Sequence, residues 1–196
     1  MNNENLQRIV SYGYIYLVIL GIIKEALFYY PLDINILKYS SIMDILVSPI
    51  ADMTTYPLII LFFIALGIGL VFFRKYLSNH PTAKFTTKYL SIKENEELST
   101  QKFNQRADNH VLGIFFVTLI CFFLGFGIGG GNKTAQKMKE GSFNFKKYGN
   151  KVKYNSGESK LVYIIDHNSS YYFFIEEGKK NITVVPVSSI ESIEIK

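Results

Sequence analysis

The stretch Gly125-Phe126-Gly127-Ile128-Gly129-Gly130-Gly131-Asn132-Lys133-Thr134 has residue types that could cradle phosphate. Gly125, Gly127 and Gly130 fit G-x-G-x-x-G. Lys133-Thr134 imitates the end of a P-loop, with Asn132 where that loop needs glycine. Both motifs need a strand before the loop and a helix after it, so that N–H groups at the helix start hold the phosphate. Here a charge-free apolar run precedes the glycines. The spacing therefore predicts helix packing instead of nucleotide binding. Gly125/Gly129 and Gly127/Gly131 are four apart, share a helix face and let another backbone approach closely, and Ala65/Gly69 in an earlier run does likewise. Closely spaced glycines also weaken a helix end, which predicts a hinge or kink there.

Lys24 and Glu25 are the only ionisable residues inside the otherwise apolar run 9–30. Ionisable groups at membrane depth mark ion or proton paths or polar contacts with a partner helix. The simpler expectation is that Lys24 snorkels to the headgroups. Neighbours on a helix point about 100° apart, so Lys24 and Glu25 are not expected to face each other.

Other reactive types are scattered. His80, His110 and His167 lie far apart, without the cysteine or carboxylate spacing of a metal site. A single cysteine excludes an intrachain disulfide, and Cys121, among Leu119, Phe122 and Phe123, reads as an apolar filler. Asp166-His167-Asn168-Ser169 has catalytic residue types but falls in an expected hairpin turn, which these residues favour for its own sake. The aromatic run Tyr171-Tyr172-Phe173-Phe174 reads as core, or as the docking surface of the tail if one face stays exposed. The expectation is a non-enzyme without cofactor or metal.

The elements that would position these residues divide the chain in two. Of 196 residues 48% are hydrophobic, but that mean covers long uncharged runs and polar segments between them. Such a distribution excludes a plain soluble domain, a coiled coil and a disordered tail. About 20 apolar residues span the roughly 30 Å hydrocarbon core. Spans are expected at 9–30, 57–73 and 111–131, with Tyr12, Tyr14, Tyr16 and Phe28, Tyr29, Tyr30 as interfacial aromatics. The first reads as an uncleaved anchor, because Lys24-Glu25 stands where a signal peptide would carry a small-residue cleavage site. The segment 34–50 carries Lys38 and Asp44 and is expected to lie in the interface as an amphipathic helix, or to re-enter and turn at Pro49.

The polar segment 74–109 reads as a loop whose end, from Ser99-Thr100-Gln101, starts a helix into the third span. It holds Arg74, Lys75, Lys84, Lys88, Lys93, Lys102 and Arg106, which places it in the cytoplasm with 31–55 outside. The tail after the third span is as basic, through Lys133, Lys137, Lys139, Lys146, Lys147, Lys151 and Lys153. The rule therefore conflicts with itself unless the tail crosses regardless of charge or 34–50 adds a fourth crossing. A linker at 132–142 leads to a small all-β domain at 143–196. Short β-rich runs at 151–154, 161–165, 171–175, 182–185 and 190–195 predict an antiparallel meander or an SH3-like barrel, with Pro186 at an edge.

The net charge of +5 flanks apolar runs without any nucleic-acid motif, so membrane lipids are the expected partners of the basic residues. The chain is expected in the cytoplasmic membrane as a non-enzymatic multi-pass anchor, sensor or accessory subunit. It would work as a homo-oligomer or with a partner membrane protein, in an immunity or defence setting among others. The Ile-, Lys- and Asn-rich usage suggests a bacterial source. The competing expectation is a small oligomeric channel or transporter using Lys24 and Glu25.

Overall fold

The computed structural model describes residues 3–93 and 98–195; residues 94–97 of the expected cytoplasmic loop lie outside the described residues. The chain divides into two compact units, Met1–Ile50 with Phe123–Lys196, and Ala51–Phe122. The element order is α1 (Asn3–Tyr29), α2 (Ile42–Thr55), α3 (Pro57–Asn79), α4 (Lys84–Tyr89), α5 (Thr100–Glu140), α6 (Phe145–Tyr148), β1 (Asn150–Tyr154), β2 (Ser159–His167), β3 (Tyr171–Glu176), β4 (Ile182–Pro186) and β5 (Ile190–Glu194). Among the described residues, three helices are long and apolar enough to cross a membrane: Ser11–Leu32, Leu58–Asn79 and Thr100–Glu140.

In the first unit, α1 ends where Pro31 follows it. Two short 3-10 turns, Tyr30–Leu32 and Ile36–Lys38, then lead to α2. The start of α2 is a capping box. The Asp44 amide donates to Ser41 Oγ at 3.1 Å, and the Ser41 amide donates back to Asp44 Oδ2 at 2.8 Å. Pro49 sits inside α2 and lacks the N–H that would bond the Ile45 carbonyl. That freed carbonyl meets α1 at Gly21, where any Cβ would collide with it.

The expected linker at 132–142 is helical through Glu140, and the helix runs on through the glycines. The helix stops instead at Gly141, in left-handed conformation with φ 64°. Its amide donates to the Met138 carbonyl at 3.3 Å and that of Ser142 to Lys137 at 3.1 Å, a Schellman motif that only glycine adopts at low cost. At 41 residues, α5 is about 60 Å long, twice a hydrocarbon core.

The β-domain is one antiparallel sheet in the order β4-β3-β2-β1-β5. The first four strands form the expected meander. The barrel alternative is corrected: the sheet is open, with β4 and β5 as its edges. Pro186 ends edge strand β4, and the turn Val187–Ser189 sends β5 to the free side of β1, where Val152 pairs with Ile193. One face buries Val152, Val162 and Phe174 under Tyr172, Ile164, Val185, Ile190 and Ile193. The other buries Phe173 against Tyr29, Leu32 and Ile36.

In the second unit, the segment between α3 and α5 carries the short α4, and the end of α3, the residue after α4 and the start of α5 share a core of Leu77, Leu90, Phe103 and Ala107. Arg74 ties α3 to α5. Its Nε donates to Asp108 Oδ1 at 2.9 Å, and its guanidinium also donates to Asn104 Oδ1 at 3.3 Å.

Candidate functional site

The polar groups of the first unit converge where α1 meets α2 and the sheet. Lys24 and Glu25 are both buried, 7% exposed each. Lys24 Nζ donates to Glu25 Oε1 at 2.8 Å and to Ser48 Oγ at 2.9 Å. The Ser48 hydroxyl donates to Glu25 Oε1 in turn. This corrects both sequence expectations for the pair. Lys24 does not snorkel outward, and the two side chains meet although their Cβ atoms diverge. The flexible lysine stem reaches back, and the Ser48 hydroxyl on α2 completes a triangle of hydrogen bonds with both charged groups.

One turn further along α1, the Tyr29 hydroxyl donates to Asp166 Oδ2 at 2.9 Å. The register of β2 explains why Asp166 faces the helix. Ile164 pairs with Phe174, but Asp166 pairs with Phe173, so one extra residue bulges between them. Alternation alone would put Asp166 on the same face as Ile164. The bulge turns it to the opposite face, beside Tyr29. Tyr29 itself is fully buried, its ring 5.2 Å from that of Phe173.

The turn after β2 completes the attachment. Asn168 Oδ1 accepts from the Ser170 and Tyr171 amides, shaping the hairpin, while its Nδ2 donates to the Tyr39 carbonyl at 3.1 Å. The Ser169 amide and hydroxyl donate to the Asp44 carboxylate at 3.1 and 3.0 Å. Asp44 thus caps α2 and holds the hairpin with one carboxylate. Burial pulls its pKa up, but the hydrogen bonds from Ser41 and Ser169 outweigh that and hold it below the usual range. The residues 166–169 therefore build a turn and a joint.

The glycines of α5 divide into two sets. A Cβ at Gly127 would lie 2.6 Å from the Lys24 carbonyl oxygen, one at Gly131 would collide with the Phe28 carbonyl, and one at Gly130 would touch the Phe28 ring at 3.1 Å. That face of α5 is pressed against α1 beside the buried pair. Gly125, Gly129 and Gly69 have nothing within 4 Å, so within this chain the Gly125/Gly129 and Ala65/Gly69 pairs are not packed by another helix at those glycines.

The expected docking surface is also corrected. Phe173 and Phe174 are both 0% exposed, one on each face of the sheet, and Tyr171 and Tyr172 are half-buried beside them. The two phenylalanines are thus core, one in each face of the sheet. Among the described residues no group of three or more His, Cys, Asp or Glu comes together to hold a metal ion. His80 and His110 bond the carbonyls one turn before them, and His167 stacks on Tyr172.

Sequence reasoning missed Ser48, Gly21 and the joint between Tyr29 and Asp166. A serine one residue before Pro49 and a glycine in the middle of an apolar run were the available signals. The bulge carried none.

Asp166 gives a pH signature. Its pKa is raised, first by burial and then by the nearby Glu25 charge. A carboxyl with a raised native pKa holds its proton where the unfolded chain has lost it. It therefore favours the folded state in acid and loses that advantage as pH rises from about 4 through the native pKa. Asp166→Asn keeps a partner for Tyr29 and cannot ionise. Its stability relative to the wild type is expected to climb as pH rises from about 4 through the raised native pKa, read from paired unfolding curves in detergent. A flat difference across that range would contradict the assignment.

No protein-family model matches this sequence, and neither a curated protein nor a solved structure was found to be similar to it.

Proposed function

We propose that this chain is an integral membrane protein of three spans, without enzymatic activity, in which the β-domain is held as a rigid extension of the first span. It would act as an anchor, sensor or accessory subunit of a membrane complex in the cytoplasmic membrane of a bacterial cell. The observation that carries this reading is the joint itself. A domain meant to swing on a tether needs no buried Tyr29–Phe173 core, no Tyr29–Asp166 bond and no Asp44–Ser169 bonds. A joint of that kind lets a load on the β-domain tilt α1, or a change around α1 move the β-domain.

The same contacts support a topology. Tyr29, Tyr39 and Asp44 all touch the sheet, so 29–44 and the β-domain belong on one side of the membrane. A chain that leaves through α1 and crosses twice more, through α3 and α5, returns to that side. A fourth crossing at 34–50 would carry part of this joint through the bilayer. The segment 74–109 then faces the cytoplasm and the β-domain the outside. Of the tail lysines, Lys146, Lys147, Lys151 and Lys153 belong to the folded β-domain, for which the positive-inside rule counts little, whereas Lys133, Lys137 and Lys139 lie in the last turns of α5 and weigh against this orientation.

Lys24 and Glu25 bond each other and Ser48 in a buried cluster, which favours a structural pair over the channel reading. In the second unit, α3 has only 6% of its apolar window buried, surface that lipid or a partner helix would cover.

Single cysteines at Asn35, Ser156 and Lys84, in a Cys121→Ser background, test the topology in intact cells. Asn35→Cys and Ser156→Cys are expected to react with an impermeant maleimide and Lys84→Cys to resist it. Opposite behaviour of the first two would overturn the shared side. Recovery of the chain alone and monomeric from mild detergent would count against the accessory role.

A further inference from the structure

Building on the membrane reading, we propose that α4 is an interfacial anchor that lies against the cytoplasmic leaflet. Its Phe85 ring enters the lipid surface, and its Lys84 and Lys88 ammonium groups meet the phosphates of anionic phospholipids. The helix has two faces. Thr86, and Leu90 directly after the helix, are fully buried, Leu90 in the core with Leu77 and Phe103. Phe85 is 52% exposed, and Lys84 and Lys88, one turn apart, are exposed beside it. Among the described residues neither lysine side chain has a hydrogen-bond or ion-pair partner. Neither α3 nor α4 contains an acidic residue.

Ring contacts set the depth of this helix. Phe73 ends the charge-free apolar run of α3 and follows Val71 and Phe72, both exposed. The Phe73 ring lies 6.4 Å from that of Phe85 and 5.4 Å from that of Tyr89, and Phe85 lies 6.5 Å from Tyr76. The aromatic cluster therefore continues the apolar surface of α3 at the point where that surface ends. Aromatic rings at the end of a span, with lysines beside them, are the arrangement of a membrane interface. A covering partner must offer apolar groups to Phe85 and anions to the two lysines at once. An anionic leaflet offers acyl chains and phosphates side by side, and under the membrane reading it already surrounds Phe72 and Phe73. The lysine ammonium suits a phosphodiester as a compact point charge on a flexible stem.

The chain has no tryptophan, so Phe85→Trp gives the full-length protein a single fluorescent reporter on the exposed face of α4. The variant is reconstituted in phosphatidylcholine vesicles with or without an equal share of phosphatidylglycerol, each holding the same fraction of brominated lipid. Its fluorescence is expected to be quenched by the brominated lipid and sheltered from acrylamide. Quenching is expected to be about twofold stronger with phosphatidylglycerol than without it. Adding Lys84→Gln and Lys88→Gln is expected to abolish that gain. Quenching by acrylamide alone would overturn the anchor, since Phe85 would then stand in water. Shelter from both quenchers would overturn the lipid in favour of a second copy or another protein over α4. A gain that is absent from the start, or that survives the two lysine replacements, would overturn the anionic lipid as ligand. Ile64→Trp, exposed in the middle of α3, is the reference. Its quenching by lipid without that of Phe85→Trp would overturn the anchor alone. No lipid quenching of either reporter would overturn the membrane reading beneath it.

Discussion

Glu25→Ala is expected to destabilise the fold by about 3–5 kcal/mol, because it leaves the buried Lys24 ammonium with its main counter-charge removed. Lys24→Ala should cost a similar amount for the mirror reason. The double replacement Lys24→Leu with Glu25→Leu is expected to cost much less than the sum. It removes both desolvated charges together and leaves only the Ser48 hydroxyl to find a partner. Thermal unfolding in detergent, arranged as a double-mutant cycle, measures the coupling. Additive single effects would contradict the ion pair. The same double variant bears on the channel alternative. Conductance of reconstituted bilayers that appears with the wild type and vanishes with the leucines would revive it.

The second large effect is a contrast in sign along one helix. Gly127→Ala and Gly131→Ala are expected to destabilise by roughly 1–3 kcal/mol, since each Cβ would meet a backbone carbonyl of α1 and the helices must move apart. Gly125→Ala and Gly129→Ala place their methyls in open space. They should stabilise by up to about 1 kcal/mol through helix propensity alone. Unfolding midpoints of the four variants decide it. If Gly129→Ala is as harmful as Gly131→Ala in the membrane while neutral in detergent, a second helix covers that face in an assembly, as the accessory-subunit reading expects.

Much of the architecture follows from local patterns. Three charge-poor apolar runs within the range of lengths that spans a bilayer announced the three long helices. Short β-rich runs separated by turn residues such as Asn155-Ser156-Gly157 and Glu177-Gly178 announced the strands and hairpins. The four-residue glycine spacing announced close helix packing, although it offered two faces and the structure uses only that of Gly127 and Gly131. The buried pair was visible as an oddity, two charges in an apolar run, but its resolution was not. Ser48 lies 23 residues from Glu25, and no periodicity links them. Asp44 looked like a cost of placing 34–50 near lipid. In the structure the same carboxylate is a cap and a joint.

The sequence by itself determined which segments are apolar enough to leave water, where helices give way to strands, and which charges would be expensive to bury. Those properties depend on residue type and on neighbours a few positions away. Only the tertiary structure decided that Lys24 and Glu25 face each other, that Asp166 faces Tyr29, and that Phe173 and Phe174 are core rather than surface. Each of these depends on long-range register. A single bulged residue in β2 reverses which face Asp166 occupies, and a proline in α2 frees the carbonyl that meets Gly21. A one-residue change of register costs little locally yet reassigns every contact beyond it.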